Sequence, residues 1–149
     1  MRINVFGWLL LNDRLNTRDM LKHQHYDIGD DHSCLLCGTH DEETVDHMIF
    51  ACPFNRSCWQ KLGINWPSFT CRLQLLQQAK DSWGRSLFFD IFPVAAWSLW
   101  KERNNKHFRR IAPTIDGWLR RFKDDFGLLQ HRTKGVHPAF ISSFISNLH

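Results

Sequence analysis

The sequence predicts a mainly helical protein, a small helical unit built on a Cys-x2-Cys turn and followed by a helical extension. Three observations predict it. Apolar side chains recur at helical spacing, as in Ile115, Trp118, Leu119, Phe122 and Phe126. Helix starts and stops are marked at Thr17, Thr44, Pro53 and Pro113-Thr114. Three Cys and two His fall within residues 34–52, four of them in the pattern Cys34-x2-Cys37-x9-His47-x4-Cys52.

Taken in order, Val5, Phe6, Trp8, Leu9 and Leu10 suggest a short apolar helix broken near Asn12. Thr17 is placed to cap a second short helix with Met20 and Leu21 on its buried side. Residues 26–33 read as a loop, and 34–38 as a tight turn. Thr44 caps a helix through His47, Met48, Ile49 and Phe50. Pro53 stops it, pushes Cys52 toward an extended conformation, and starts a helix over about 53–62 with Cys58, Trp59 and Leu62 inward. Arg72–Lys80 reads as helical. A long helix starts or kinks at Pro93 and reaches about Arg109, with Trp97, Trp100 and Phe108 as its apolar stripe. Residues from His131 onward look loosely organised. Two units are expected: a compact one over 1–65 and a basic helical extension over 66–149.

The chain has 149 residues, 43% hydrophobic and 23% charged, which is ordinary for a soluble globular protein. Seven Trp and twelve Phe argue against wholesale disorder, because such side chains offset chain ordering by burial. The apolar run Val5–Leu11 is far shorter than the ~20 residues that span a bilayer, so no membrane association is expected. An intracellular protein, nuclear or cytoplasmic, is expected. The net charge of +4 is unevenly spread. Residues 25–55 hold seven acidic and no basic side chains; residues 100–149 hold ten basic and four acidic.

Five cysteines is an odd number, and their spacing favours a metal over disulfides. Zinc takes four ligands in a tetrahedron, and a Cys-x2-Cys turn aims two sulfurs at one point. Cys34, Cys37, His47 and Cys52 are the expected ligands of one Zn2+, with His40 the rival to His47. On a continuous α-helix, His47 and Cys52 would diverge by about 140°. Pro53 is expected to resolve this by releasing Cys52 from the helix. Cys58 and Cys71 read as core residues. Three thiolates and an imidazole close the site, so a structural ion is expected, not a catalytic one.

Several of these residues together resemble a known family. Phe6-x-Trp8, Asp13-Arg14-Leu15-x-Thr17, Cys34-x2-Cys37, Glu43-Thr44-x2-His47-x2-Phe50-x-Cys52-Pro53-Phe54 and Trp59 resemble the reverse transcriptase zinc-binding domain. That domain follows the polymerase in plant LINE-type (non-LTR) retrotransposons. Trp97-x2-Trp100-Lys101-Glu102-Arg103-Asn104 is similar to sequence that follows it. The resemblance implies the same four ligands and singles out Glu43, which either supports the ligands from behind or caps a helix, or else is simply solvated. It also implies that the chain begins inside the usual pattern, lacking an N-terminal piece. The only tyrosine, Tyr26, precedes Asp27-Ile28, so no Tyr-x-Asp-Asp catalytic pair exists. Reverse transcription, or another enzymatic activity, is not expected of this chain.

The resemblance suggests association with RNA or DNA. The acidic cysteine segment is a poor phosphate surface, so Lys101, Arg103, Lys106, Arg109 and Arg110 are the expected contacts, with Arg120, Arg121 and Lys123 on the next helix. A solvated helix face accounts for the same charges. Two other readings stand beside a nucleic-acid-associated module: a protein–protein interaction domain with a protein partner, and an inert fragment of a decayed element.

Overall fold

In the computed structural model, residues 3–68, 71–131 and 138–149 are described. Seven α-helices appear among them: α1 (Ile3–Leu11), α2 (Arg18–His23), α3 (Pro53–Lys61), α4 (Arg72–Trp83), α5 (Phe88–Arg109), α6 (Ile115–Leu128) and α7 (Pro138–Ser146). A π-helical turn, His47–Ala51, leads into α3, and a 3-10 turn, Leu129–His131, ends α6. The only β pairing among these residues is one isolated antiparallel bridge, Ser33 with Glu42. The protein is therefore mainly helical, and none of its described helices is long and apolar enough to cross a membrane.

The long helix α5 is the spine, with α1, α4 and α6 packed against it. The apolar stripe of α6 faces it, and Trp118, Phe122 and Phe126 stack along that stripe at four-residue intervals. The Trp118 indole N–H donates to Ala95 O of α5 at 3.3 Å. A second aromatic group joins Phe50, Trp59 and Trp66 to Phe88 and Phe92 of α5. One hydrophobic cluster runs from Cys34 and Cys52 through these rings to α6 and α7.

The sequence signals for several helices hold. The Thr17 hydroxyl caps α2 by accepting from Met20 N–H, and Thr114 caps α6 by accepting from Gly117 N–H. Pro53 opens α3, where it sacrifices no helical hydrogen bond. Other expectations change. Helix α5 begins at Phe88 and carries Pro93 inside it. Burial of Phe88, Ile91, Phe92 and Ala95, at i, i+3, i+4 and i+7, outweighs the one bond that Pro93 removes. The stripe of α5 ends at Trp100, because Phe108 lies beyond its packing partners and is 74% exposed. Residues 138–146 form a helix that buries Ile141 and Phe144 against α6, where sequence suggested a loose tail. Residues 132–137 of that tail lie outside the described residues. Cys58 is core, but Cys71 is exposed, standing just ahead of the buried face that begins at Leu75.

Candidate metal centre

Local hydrogen bonding explains how the four expected ligands meet. Cys34 N–H donates to Asp41 O, and Glu43 N–H donates to His32 O, closing the loop that carries the Cys-x2-Cys turn. Gly38, with φ of 64°, makes the left-handed reversal after Cys37 that a side chain would resist. Within the turn, the N–H groups of Cys37 and Leu36 point at the Cys34 sulfur.

The second pair of ligands depends on the π turn. The Thr44 hydroxyl accepts from His47 N–H at 3.0 Å and starts the turn. Cys52 N–H then donates to His47 O at 2.6 Å, an i to i+5 bond. Such a turn closes over five residues and returns Cys52 to the side of His47, which an α-helix would not do. Cys52 itself is extended, with φ −56° and ψ 124°, as expected before proline. Pro53 thus contributes, but the wider turn is the main device.

That turn creates backbone debts. Met48 C=O loses Cys52 N–H as a partner, and Ile49 C=O faces Pro53, which has no N–H. The Asn55 amide donates to Met48 O and the Trp59 indole donates to Ile49 O at 2.7 Å. Both carbonyls are thereby satisfied in a buried setting.

The outcome is a cluster. The ligand atoms of Cys34, Cys37, His47 and Cys52 all lie within 4.8 Å of one another. The Cys34 and Cys52 sulfurs are 3.9 Å apart, and the Cys37 sulfur lies 3.5 Å from His47 Nε2. A zinc tetrahedron with these ligands has edges of about 3.8 Å between sulfurs and about 3.5 Å from sulfur to nitrogen. The residues therefore fit a zinc-sized ion, and His40, exposed and outside the cluster, does not compete for it. Cys34 and Cys52 are buried while Cys37 and His47 are half-buried, so the centre sits at the edge of the core.

Hydrogen bonds link the four side chains. The hydrogen bond from Cys52 holds the Cys34 thiol down to about 3 against the effect of burial, with help from His47. Its partner Cys52 is pushed up by that same bond and by burial. His47 is raised to about 9, chiefly by its bond to Cys34.

Glu43 stands behind the ligands, fully buried. Its Oε2 accepts from Leu35 N–H, inside the Cys-x2-Cys turn, at 3.1 Å. Its Oε1 accepts from Arg18 N–H, the first residue of α2, and from Nε and Nη2 of Arg103 on α5, the last at 2.7 Å. Arg103 is 3% exposed, so it does not belong to the solvent-facing basic surface on which the sequence placed it. Lys101 is half-buried and paired with Asp125 at 2.7 Å. Arg121 pairs with Glu102, and Lys123 donates to Leu148 O. Lys106 is half-buried, whereas Arg109 and Arg110 are exposed.

Two supports had no sequence signal. Arg72, 26 residues from Asp46, pairs with it at 2.6 Å and with Asp13 at 2.9 Å, bracing the residue before His47. The Thr39 hydroxyl lies 2.9 Å from the Cys37 sulfur and 2.8 Å from Asp41.

Residues 1–59 match the family model described as zinc-binding in reverse transcriptase. The match supports a reverse transcriptase zinc-binding domain in that segment. No curated protein and no solved structure matches the chain. All four clustered side chains, together with Glu43, fall inside the matched residues, and Arg103 falls outside them.

His47→Ala is expected to lower zinc affinity by several orders of magnitude, and His40→Ala to leave it unchanged, in competition titrations against a chelator. Zinc must displace the protons on His47 and Cys52. The apparent affinity should therefore weaken steadily as pH falls below about 9, the same titrations providing the measurement.

Proposed function

We propose that this chain is a non-catalytic zinc-binding module related to reverse transcriptase, in which Cys34, Cys37, His47 and Cys52 hold one Zn2+. The convergence of the four ligand atoms carries this reading. Three thiolates and one imidazole fill a tetrahedron, leaving no position for a reacting water or substrate. The ion supplies cross-linking energy on the order of 10 kcal/mol, joining the Cys-x2-Cys turn to the start of α3. The resemblance to the plant LINE-type domain supplies the finer reading of origin.

The zinc reading is tested on protein purified under reducing conditions. Mass spectrometry should find one zinc per chain, and chelation should reduce the helical circular dichroism signal. A protein that is fully folded and free of metal would contradict it.

A second reading adds nucleic-acid association through the end of α5. It is favoured by Lys106, Arg109 and Arg110, which have no carboxylate partner among the described residues, and by Phe108 and Ile111, exposed beside them. Cations interleaved with an exposed ring suit phosphates and an unstacked base. Charge reversal at Lys106, Arg109 and Arg110 should weaken RNA binding and reduce the salt slope by about 2, measured by filter binding at several salt concentrations. An unchanged slope would favour the protein–protein alternative.

A further inference from the structure

We propose that Arg103 acts as a positioning residue for the metal centre, through Glu43, so that zinc occupancy and the docking of α5 are coupled. The inference rests on the zinc reading above.

The coupling follows from where Glu43 spends its oxygens. Its carboxylate is 0% exposed, so each of its oxygens needs a hydrogen-bond partner in place of bulk water. Oε2 is committed to Leu35 N–H, between Cys34 and Cys37, and so fixes the orientation of the turn that carries two ligands. Oε1 is shared by Arg18 N–H at 3.1 Å and by the two Arg103 nitrogens at 3.1 and 2.7 Å. Glu43 also contributes its backbone carbonyl to Asp19 N–H, so one residue satisfies two of the donors at the start of α2.

Glu43 and Arg103 are also paired one to one in charge. Arg103 is the only cationic side chain paired with Glu43 among the described residues, and Glu43 is the only carboxylate paired with Arg103. The neighbouring Glu102 is turned to Arg121. Arg103 is fixed from its other sides by the Trp100 ring, 5.0 Å from its guanidinium carbon, and by Asn104 Oδ1 at 3.3 Å. A zinc ion with three thiolates carries a net charge of −1, and Glu43 adds another. The guanidinium is the positive charge on the far side of that pair. Removing it leaves a buried carboxylate unpaired, which is costly, and the least restrained response is for Glu43 to move and release Leu35. Groups that orient ligands from behind typically change metal affinity by 10–100-fold when lost.

Residue 103 lies 60 positions from Glu43 and 44 beyond the end of the matched segment at residue 59. The zinc-binding domain of this chain is therefore completed by a helix outside it.

The test uses the full chain and compares Arg103→Gln, Arg103→Lys, Glu43→Gln and the double variant Glu43→Gln/Arg103→Gln. Phe126→Leu, remote from the centre, serves as a control for lost stability. Zinc dissociation constants come from chelator competition. Arg103→Gln should weaken zinc binding by about 10–100-fold. Arg103→Lys should fall in between, and Phe126→Leu should weaken binding far less for the same fall in unfolding midpoint. The double variant should bind no more weakly than the worse single one. Equal affinity for Arg103→Gln and wild type, additive losses in the double variant, or a control that matches Arg103→Gln would overturn the coupling while leaving the zinc site intact. Wild-type protein that binds no zinc would overturn both. Hydrogen exchange on the wild-type chain avoids dependence on any variant. Removing zinc should deprotect the amides of residues 104–109, and unchanged protection there would also refute the coupling.

Discussion

Three sulfurs and one imidazole nitrogen drawn within 4.8 Å of one another form the constraint on which the surrounding structure depends. Backbone N–H groups around the cluster favour thiolate at one of its sulfurs, Cys34, while His47 and Cys52 are held toward their protonated forms. Backbone N–H groups of Leu36 and Cys37 face the Cys34 sulfur, and that of Asn55 faces Cys52. N–H groups arranged in this way stabilise thiolate, as they do at helix N-termini. The π turn, the extended Cys52 and the left-handed Gly38 are all departures from regular backbone, and each brings a ligand into the cluster.

Charge is divided along the molecule. The acidic segment carries the cysteines, and the C-terminal end of α5 carries Lys106, Arg109 and Arg110 without carboxylate partners among the described residues. Many of the basic side chains that look alike in sequence have different roles in the structure. Arg103 neutralises a buried carboxylate, Arg72 braces Asp46, and Lys101 and Arg121 tie α5 to α6. At the last turn of α5, Lys106, Arg109 and Arg110 have no carboxylate partner among the described residues.

Much of this was legible in sequence because its signals are local. Thr17, Thr114 and Pro53 mark helix starts by satisfying or lacking an N–H within one turn, and the four ligands announce themselves by spacing. Glu43 was singled out by resemblance, but its partners were not. The Arg103 contact spans 60 residues and depends on how α5 packs, which no periodicity encodes. The start of α5 was hidden because Pro93 is a strong local signal, whereas burial of Phe88 and Ile91 is a tertiary effect that outweighs it. The π turn was missed for a similar reason. Nothing in His47–Ala51 specifies it, and the residues that stabilise it, Asn55 and Trp59, lie on the next helix.

The most direct measurement is X-ray absorption at the zinc K-edge on the metal-loaded chain in solution. Three sulfur scatterers at about 2.3 Å and one nitrogen at about 2.0 Å are predicted. A shell of oxygen and nitrogen alone, or fewer than three sulfurs, would show that these side chains do not share one ion.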